Sequence, residues 1–180
     1  MPEVGLELQS LVFSADGKTR ADAQPLLRDR LAPARAPEFA AWAVDALRKA
    51  VDYITEQPGV AGRLAVTGFC FGGGFAFALA AADPRVRAAV PFYGHAPVGT
   101  DINDIRCPIL AFYGDQDASL MATLPEVSAA FKEGGVEFTA KVYPGVGHAF
   151  FNDSNGTTYD AVAASDAWKR TLAFLDENLA

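Results

Sequence analysis

A cysteine framed by glycines is the clearest candidate for chemistry in this chain of 180 residues. The segment Gly68-Phe69-Cys70-Phe71-Gly72 follows a short apolar run and opens a stretch of small residues. This is the G-x-S-x-G pattern of a tight strand-to-helix turn, with cysteine in the serine position. The small residues two positions before and after the cysteine, Gly68 and Gly72, are predicted to relieve the clashes that such a strained turn would cause. A side chain on such a turn projects above a sheet, and the helix N-terminus behind it favours a thiolate. The pattern therefore predicts Cys70 as a nucleophile and the backbone N–H of Phe71 as the donor to an oxyanion.

A nucleophile of this kind needs a base and an acid that orients the base. The chain has two histidines. We predict His148 as the base, because it lies in a glycine-flanked turn after the last strand signal. His95 also follows a strand signal and is predicted only to line the pocket. Asp115 and Asp117 both follow an apolar strand; we favour Asp117, which should lie at the loop tip. The chain order nucleophile, acid, base then agrees with that of enzymes built on this turn.

The elements that must position these residues alternate along most of the chain. Residues 1–36 are predicted to be an irregular segment, with a weak strand around Val4 to Leu8 and loops with a short helix where prolines interrupt the pattern. Residues 37–180 are predicted to form the core. The pattern predicts four strands, at 64–67, 86–93, 109–113 and 138–143. It predicts four helices, at 37–57, 75–82, 126–133 and 161–179. Strands separated by helices favour a parallel sheet with helices on both faces and active groups at its carboxyl ends.

The composition excludes several classes of function. Hydrophobic residues make up 51% of the chain and charged residues 21%, which is typical of a soluble globular protein. The net charge of −7 and the absence of a basic run argue against nucleic acid and membrane as partners. Cys107 is interpreted as a packing residue, and no disulfide framework, metal-ligand cluster or cofactor motif is found. The N-terminal residues do not resemble a signal peptide, so a cytoplasmic location is expected.

Three motifs together resemble the dienelactone hydrolases, also called carboxymethylenebutenolidases. They are Gly-Phe-Cys-Phe-Gly-Gly-Gly from Gly68, Phe-Tyr-Gly-Asp-Gln-Asp from Phe112, and Tyr-Pro-Gly-Val-Gly-His-Ala-Phe-Phe-Asn-Asp from Tyr143. The resemblance runs from about Glu38 to the C-terminus. It implies an α/β-hydrolase fold and hydrolysis of an unsaturated lactone or similar ester, without a cofactor. It assigns the triad to Cys70, Asp117 and His148 and the oxyanion donor to Phe71.

The resemblance also implies what this chain lacks. Family members carry more chain before the nucleophile, which supplies the first strands, a second oxyanion N–H, a glutamate that contacts the cysteine and an arginine that binds the substrate. Residues 1–36 match none of these motifs, so we expect a sheet shortened at its N-terminal side, with an exposed edge that could pair in a homodimer. A family position after the histidine that can hold arginine is Asn152 here, which argues against a carboxylated substrate. We predict that the substrate pocket is lined by Phe69, Tyr93, His95, Phe150 and Asn152.

Two other interpretations compete with a lactone or ester hydrolase. A class I glutamine amidotransferase also uses a cysteine on such a turn, but it carries His-x-Glu, whereas this chain has His148-Ala149-Phe150. The second alternative is a catalytically weak or inactive protein that keeps the turn as a scaffold and binds a ligand or partner.

Overall fold

The structure is a computed structural model and describes residues 6–12, 14, 16–96, 102 and 104–180. Backbone contacts divide the chain into two compact units, Met1–Ala46 and Leu47–Ala180. The division falls within a helix, about ten residues after the boundary predicted at Pro37. The elements in chain order are α1 (Leu6–Val12), α2 (Gly17–Leu31), a short 3₁₀ helix (Ala32–Arg35), α3 (Pro37–Thr55), β1 (Ala65–Phe69), α4 (Phe71–Ala82), β2 (Ala88–Phe92), β3 (Ile109–Gly114), α5 (Ala118–Glu133), β4 (Phe138–Tyr143) and α6 (Ala161–Leu179).

The first unit is helical where the sequence favoured loops. Asp16 caps α2 and accepts a hydrogen bond from the backbone N–H of Thr19 at 2.7 Å. Pro25 lies inside α2, where it removes a backbone hydrogen bond without ending the helix. The expected strand around Val4 to Leu8 is wrong for residues 6–8, which lie in α1, and its first part falls outside the described residues.

The second unit is built on a four-stranded parallel sheet in the order β1-β2-β3-β4. Every residue of β2 and β3 is buried, as expected for central strands covered on both faces. The predicted parallel sheet is therefore confirmed. Because the strands are parallel, the loops that follow all four of them leave from the same end of the sheet.

One face of the sheet is covered by α4 and α5. Phe138 of β4 stacks on Phe131 of α5 at 4.5 Å between ring centroids, and Phe131 stacks on Phe77 of α4 at 5.9 Å. Phe112 of β3 is in register with Lys141, three residues along β4 from Phe138. Successive side chains of a strand alternate between faces, so Phe112 points to the opposite face.

That opposite face carries a row of aromatic rings beneath α6. Phe69, Phe92 and Phe112 are neighbours in the register of β1, β2 and β3. Phe151 packs against the first two rings, with centroids 5.3 and 5.0 Å away, and contacts Trp168 of α6 at 6.1 Å. Helices thus cover both faces of the sheet.

Strand β1 forms an open edge. Leu64 accepts a hydrogen bond from Arg87, and the N–H of Cys70 bonds the carbonyl of Phe92, so the backbone groups of alternate residues point toward β2. The backbone groups of Ala65, Thr67 and Phe69 consequently point outward, and within the described residues β1 pairs with β2 alone. In the part of the chain that the structure describes, β1 is thus an edge strand of the sheet, as expected, while the exposure of that edge and the homodimer stay predictions.

Two helices differ from the sequence interpretation. Helix α5 begins at Ala118, eight residues before the predicted start, because Asp117 caps it and Pro125 is accommodated within it. Along α6 the sequence predicts an apolar stripe through Val162, Trp168, Leu172, Phe174 and Leu175. This prediction is wrong at Val162 and Leu172, which are 82% and 50% exposed. Small residues on another face approach the sheet closely, and they are the buried ones: Ala163, Ala164, Ala167 and Thr171.

Among the described residues, none of the helices combines the length and apolarity needed to cross a bilayer.

Candidate active site

Cys70 lies on the turn between β1 and α4 with an unusual backbone conformation. Its φ is 54° and its ψ is −117°, and it is the N-cap of α4. A positive φ is strained for a residue with a Cβ atom, and such strain persists where the surrounding structure holds it in place. The backbone N–H of Cys70 donates to Phe92 at 3.0 Å, and its carbonyl accepts from Gly73 and Gly74. Both sides of the turn are thereby fixed.

Glycines make this turn possible, but not the pair that the sequence suggested. A Cβ at Gly68 would overlap the carbonyl of Gly72, so the need for glycine at 68 is confirmed. A Cβ at Gly72 would meet nothing within 4 Å, so its predicted role in relieving a clash is wrong. The close approach lies one residue further on, where a Cβ at Gly73 would lie 2.7 Å from the carbonyl of Phe92 and one at Gly94 would overlap Gly73.

His148 brings its imidazole between Cys70 and Asp117. Its Nε2 lies 3.1 Å from Cys70 Sγ, and its Nδ1 lies 2.5 Å from Asp117 Oδ2. The histidine is in the loop after β4, and Ala149, the next residue, has a φ of 63°. The three residues predicted as a triad are therefore joined in one hydrogen-bonded chain.

The structure separates the roles of the two candidate aspartates. Asp117 caps α5 through Oδ1, which accepts from the N–H of Leu120 at 3.3 Å, so Oδ2 is held toward His148. Asp115 accepts instead from the backbone N–H of Gly145 at 2.8 Å and so ties the loop after β3 to the loop after β4. The preference for Asp117 over Asp115 as the partner of His148 agrees with this geometry.

The electrostatics of the site favour a thiolate beside an imidazolium. The hydrogen bond with His148 lowers the pKa of the Cys70 thiol against the opposing effect of burial, and the backbone N–H of Phe71 adds to the lowering. The hydrogen bond with Cys70 raises the pKa of His148 to about 9, and the bond to Asp117 acts in the same direction. Transfer of a proton from sulfur to imidazole is therefore easier than it would be between the free side chains.

The other predicted pocket residues are dispersed. Phe69 is 40% exposed next to Cys70, whereas Tyr93 is buried against His148. Phe150 is fully buried, so the structure does not place it on a surface that a substrate could contact. His95 and Asn152 are exposed in loops, and within the described residues neither is hydrogen-bonded to the triad; Asn152 accepts from Ser154 instead.

A groove of about 480 Å³ is lined by residues of β1, of the segment after β4 and of α6, and Phe69 in its wall precedes Cys70. Cys70 and His148 do not line it, so the groove adjoins the triad rather than containing it. Most of its wall could not be predicted from the sequence, because the type of a residue in a helix does not reveal which neighbour its side chain faces. Its lining residues are Thr67, Phe69, Phe151, Asp153, Tyr159, Ala161, Ala164, Ser165 and Trp168.

Comparison with known proteins identifies the family. Residues 15–179 match the model of the dienelactone hydrolase family. The chain belongs to the dienelactone hydrolase family. It is 41% identical over 128 residues to the "Putative carboxymethylenebutenolidase" of Saccharolobus solfataricus, covering 71% of this chain and 48% of the relative. It is 36% identical over 141 residues to "Protein usf" of Aquifex pyrophilus, covering 76% and 61%.

Solved structures agree with this assignment. The "Putative Dienelactone Hydrolase" of Klebsiella pneumoniae superposes with a TM-score of 0.75 at 30% identity, covering 84% of this chain and 66% of that one. The dienelactone hydrolase-like promiscuous phosphotriesterase P91, from metagenomic libraries, gives 0.66 at 25% identity, covering 92% and 70%. The fold is that of the α/β-hydrolases. The chain spans about half the length of several curated relatives it matches.

Proposed function

We propose that this protein hydrolyses a carboxylic ester or lactone through a covalent thioester on Cys70. The observation that carries the proposal is the hydrogen-bonded chain from Cys70 Sγ through His148 to Asp117, built on a strained turn at the carboxyl end of a parallel sheet. A nucleophile within hydrogen-bond reach of a base that is itself oriented by an acid is the arrangement that acyl transfer requires. Membership of the dienelactone hydrolase family supports the same reaction class.

In the first half-reaction, the Cys70 thiolate adds to the carbonyl carbon of the substrate. The carbonyl oxygen becomes an oxyanion, and in this proposal the N–H of Phe71, at the start of α4, donates to it. When the intermediate collapses, the carbon–oxygen bond to the leaving group breaks, and His148 transfers its Nε2 proton to the departing oxygen. An ester releases an alcohol at this point, whereas the opened lactone remains attached through its acyl carbon.

In the second half-reaction, water hydrolyses the thioester. His148, now neutral, takes a proton from water at Nε2 while the water oxygen adds to the acyl carbon. Collapse of this second intermediate breaks the carbon–sulfur bond, releases the carboxylic acid and restores the Cys70 thiolate beside the imidazolium. Throughout the cycle Asp117 holds Nδ1–H, so that Nε2 is always the atom that exchanges protons.

Hydrolysis of p-nitrophenyl acetate and of dihydrocoumarin, an uncharged lactone, tests the proposal. We expect the parent chain to turn over both substrates and Cys70→Ala to lose activity on the order of 10³-fold or more. The matched control is Cys107→Ala, which removes the other thiol from the same sheet and should keep the parent rate. Mass spectrometry after acid quenching should find the acyl group on the peptide that contains Cys70. Equal, negligible rates for the parent and Cys70→Ala would instead support a ligand-binding protein with no hydrolytic activity.

A further inference from the structure

Backbone strain in this protein is concentrated around the candidate active site. Among the described residues, four that are not glycine have a positive φ: Ala61, Cys70, Tyr93 and Ala149. Cys70 is the proposed nucleophile, and Ala149 follows the proposed base. Tyr93, with a φ of 38°, follows β2 between them and has no part in the mechanism above. Strained residues cluster at functional sites because the fold must hold them in place, which directs attention to Tyr93.

The backbone around Tyr93 explains how the strain is maintained. Its N–H donates to the carbonyl of Phe112 at 2.7 Å, which ties it to β3. The next residue, Gly94, lies so close to Gly73 of α4 that neither position has room for a Cβ. The chain must therefore turn sharply at Tyr93, and the turn directs the phenol inward, where it is only 3% exposed.

The ring of Tyr93 lies against the imidazole of His148. The two ring centroids are 5.0 Å apart with an angle of 58° between the planes. Phe150 supports Tyr93 from another side at 5.4 Å in an edge-to-face arrangement. Burial raises the pKa of the phenol to about 12, and the negative charge of Cys70 contributes to that rise, so Tyr93 remains neutral next to the thiolate. The imidazole is thus held by three groups: Cys70, Asp117 and the Tyr93 ring.

One of these three contacts is lost during the proposed reaction. Once the acyl group is on Cys70, Nε2 has given its proton to the leaving group and the sulfur is a thioester, so the hydrogen bond between these two atoms is lost. His148 must then activate water while only Asp117 and the Tyr93 ring orient it. We propose that Tyr93 is a positioning residue that keeps His148 aligned in the acyl-enzyme, so that it acts on deacylation more than on acylation. This inference rests on the thioester mechanism proposed above.

The test compares acylation with deacylation in Tyr93→Leu, which removes the ring. With p-nitrophenyl acetate, the pre-steady-state burst reports acylation and the steady-state phase reports deacylation. Misalignment of a catalytic group costs rate on the order of ten- to a hundredfold. We therefore expect deacylation to slow by about tenfold more than acylation and acylated Cys70 to accumulate in acid-quenched samples. Tyr93→Phe keeps the ring and should restore the ratio of the two rates to that of the parent.

Tyr113→Leu is the matched control, because Tyr113, in β3, is another buried tyrosine. Its removal should lower stability without changing the ratio of the acylation and deacylation rates. Equal slowing of both steps in Tyr93→Leu, or the same change in ratio for Tyr113→Leu, would show that Tyr93 is only a packing residue. A Cys70→Ala variant that hydrolyses the ester as fast as the parent would overturn the proposed function instead. If Tyr93→Leu does not fold, Tyr93→Phe and Tyr93→His take its place. Both keep a planar ring and should preserve the ratio of the two rates, so a changed ratio in either variant would contradict the inference.

Discussion

The two cysteines lie at opposite ends of one parallel sheet and differ in chemical character. Cys70 is exposed at the carboxyl end, where β1 turns into α4. Cys107 is buried at the amino end, just before Pro108 and the start of β3. The hydrogen bond with His148 lowers the pKa of Cys70, whereas burial raises the pKa of Cys107 to about 11. The surroundings of a cysteine therefore favour its ionisation at one end of the sheet and oppose it at the other.

The difference follows from the direction of the strands. In a parallel sheet the loops after all strands leave from the carboxyl end, and in this protein each loop delivers one residue to the site. Cys70 follows β1, Tyr93 follows β2, Asp117 follows β3 and His148 follows β4. The loops that carry these residues do not leave from the amino end of the sheet. Cys107, which lies at that end, packs in the hydrophobic core.

The largest effect should come from breaking the hydrogen-bonded chain at its acid. In Asp117→Asn an amide can hold His148 in the wrong tautomer, with Nε2 protonated when it should accept, so we expect ester hydrolysis to fall on the order of 10³- to 10⁴-fold. Asp115→Asn is the matched control, because its amide oxygen can still accept from Gly145, and its rate should stay close to that of the parent. Steady-state kinetics of the two variants measures the difference. Similar losses in both would mean that the loop junction, and not the triad, determines the rate.

A second comparison concerns the glycines that shape the carboxyl end. In Gly68→Ala the new Cβ would overlap the backbone of Gly72, so we expect a loss of about 3 kcal/mol in the free energy of unfolding, the upper range for overpacking. In Gly72→Ala the Cβ enters open space within α4, where alanine is the better helix former, and stability should rise by about 0.5 to 1 kcal/mol. Urea denaturation checks both values. A larger loss at 72 than at 68 would contradict the packing that the structure gives this turn.

The meeting of Cys70, Asp117 and His148 could be predicted from the sequence because the signals for it are local. Glycines around Cys70 indicate a tight turn, and polar residues after apolar strands indicate loops at the carboxyl end. The choice of Asp117 over Asp115 rested on loop position alone, and the structure adds the reason, which is the cap on α5. The local pattern is misleading at Gly72, since the close contact is between Gly73 and Gly94, and Gly94 is distant in sequence.

Other features of the fold and of the site depend on contacts between residues that are distant in sequence, and no local pattern contains them. The strain at Tyr93 arises where the loop after β2 crosses α4. The groove wall at Trp168 depends on which face of α6 packs against the sheet, and alanines, not the larger apolar side chains, occupy that face. In the first unit the prolines indicate helix breaks by their type alone, whereas Pro25 lies within α2.

The smallest of the predicted effects concerns the two thiols directly. At pH 7 a thiol with a pKa of about 11 carries at least a hundredfold less thiolate than one below its ordinary value of 9.0. Nucleophilicity falls as the pKa falls, with a Brønsted coefficient of about 0.4 to 0.5, so about a tenfold advantage in alkylation should remain for Cys70. Iodoacetamide labelling followed by peptide mass spectrometry measures both rates in one sample, and equal labelling would contradict the contrast between the two ends.

The pH dependence of that labelling identifies its cause. Because the bond with His148 is the main reason for the lowered pKa of Cys70, the alkylation midpoint should lie below 9.0 in the parent and move upward in His148→Ala. Labelling of Cys107 in the same variant is the internal control, since burial sets its pKa and His148 does not contribute. A midpoint for Cys70 that stays in place without His148 would assign the reactivity to the N-terminus of α4 alone, and the imidazole would then act only after the thiolate has formed.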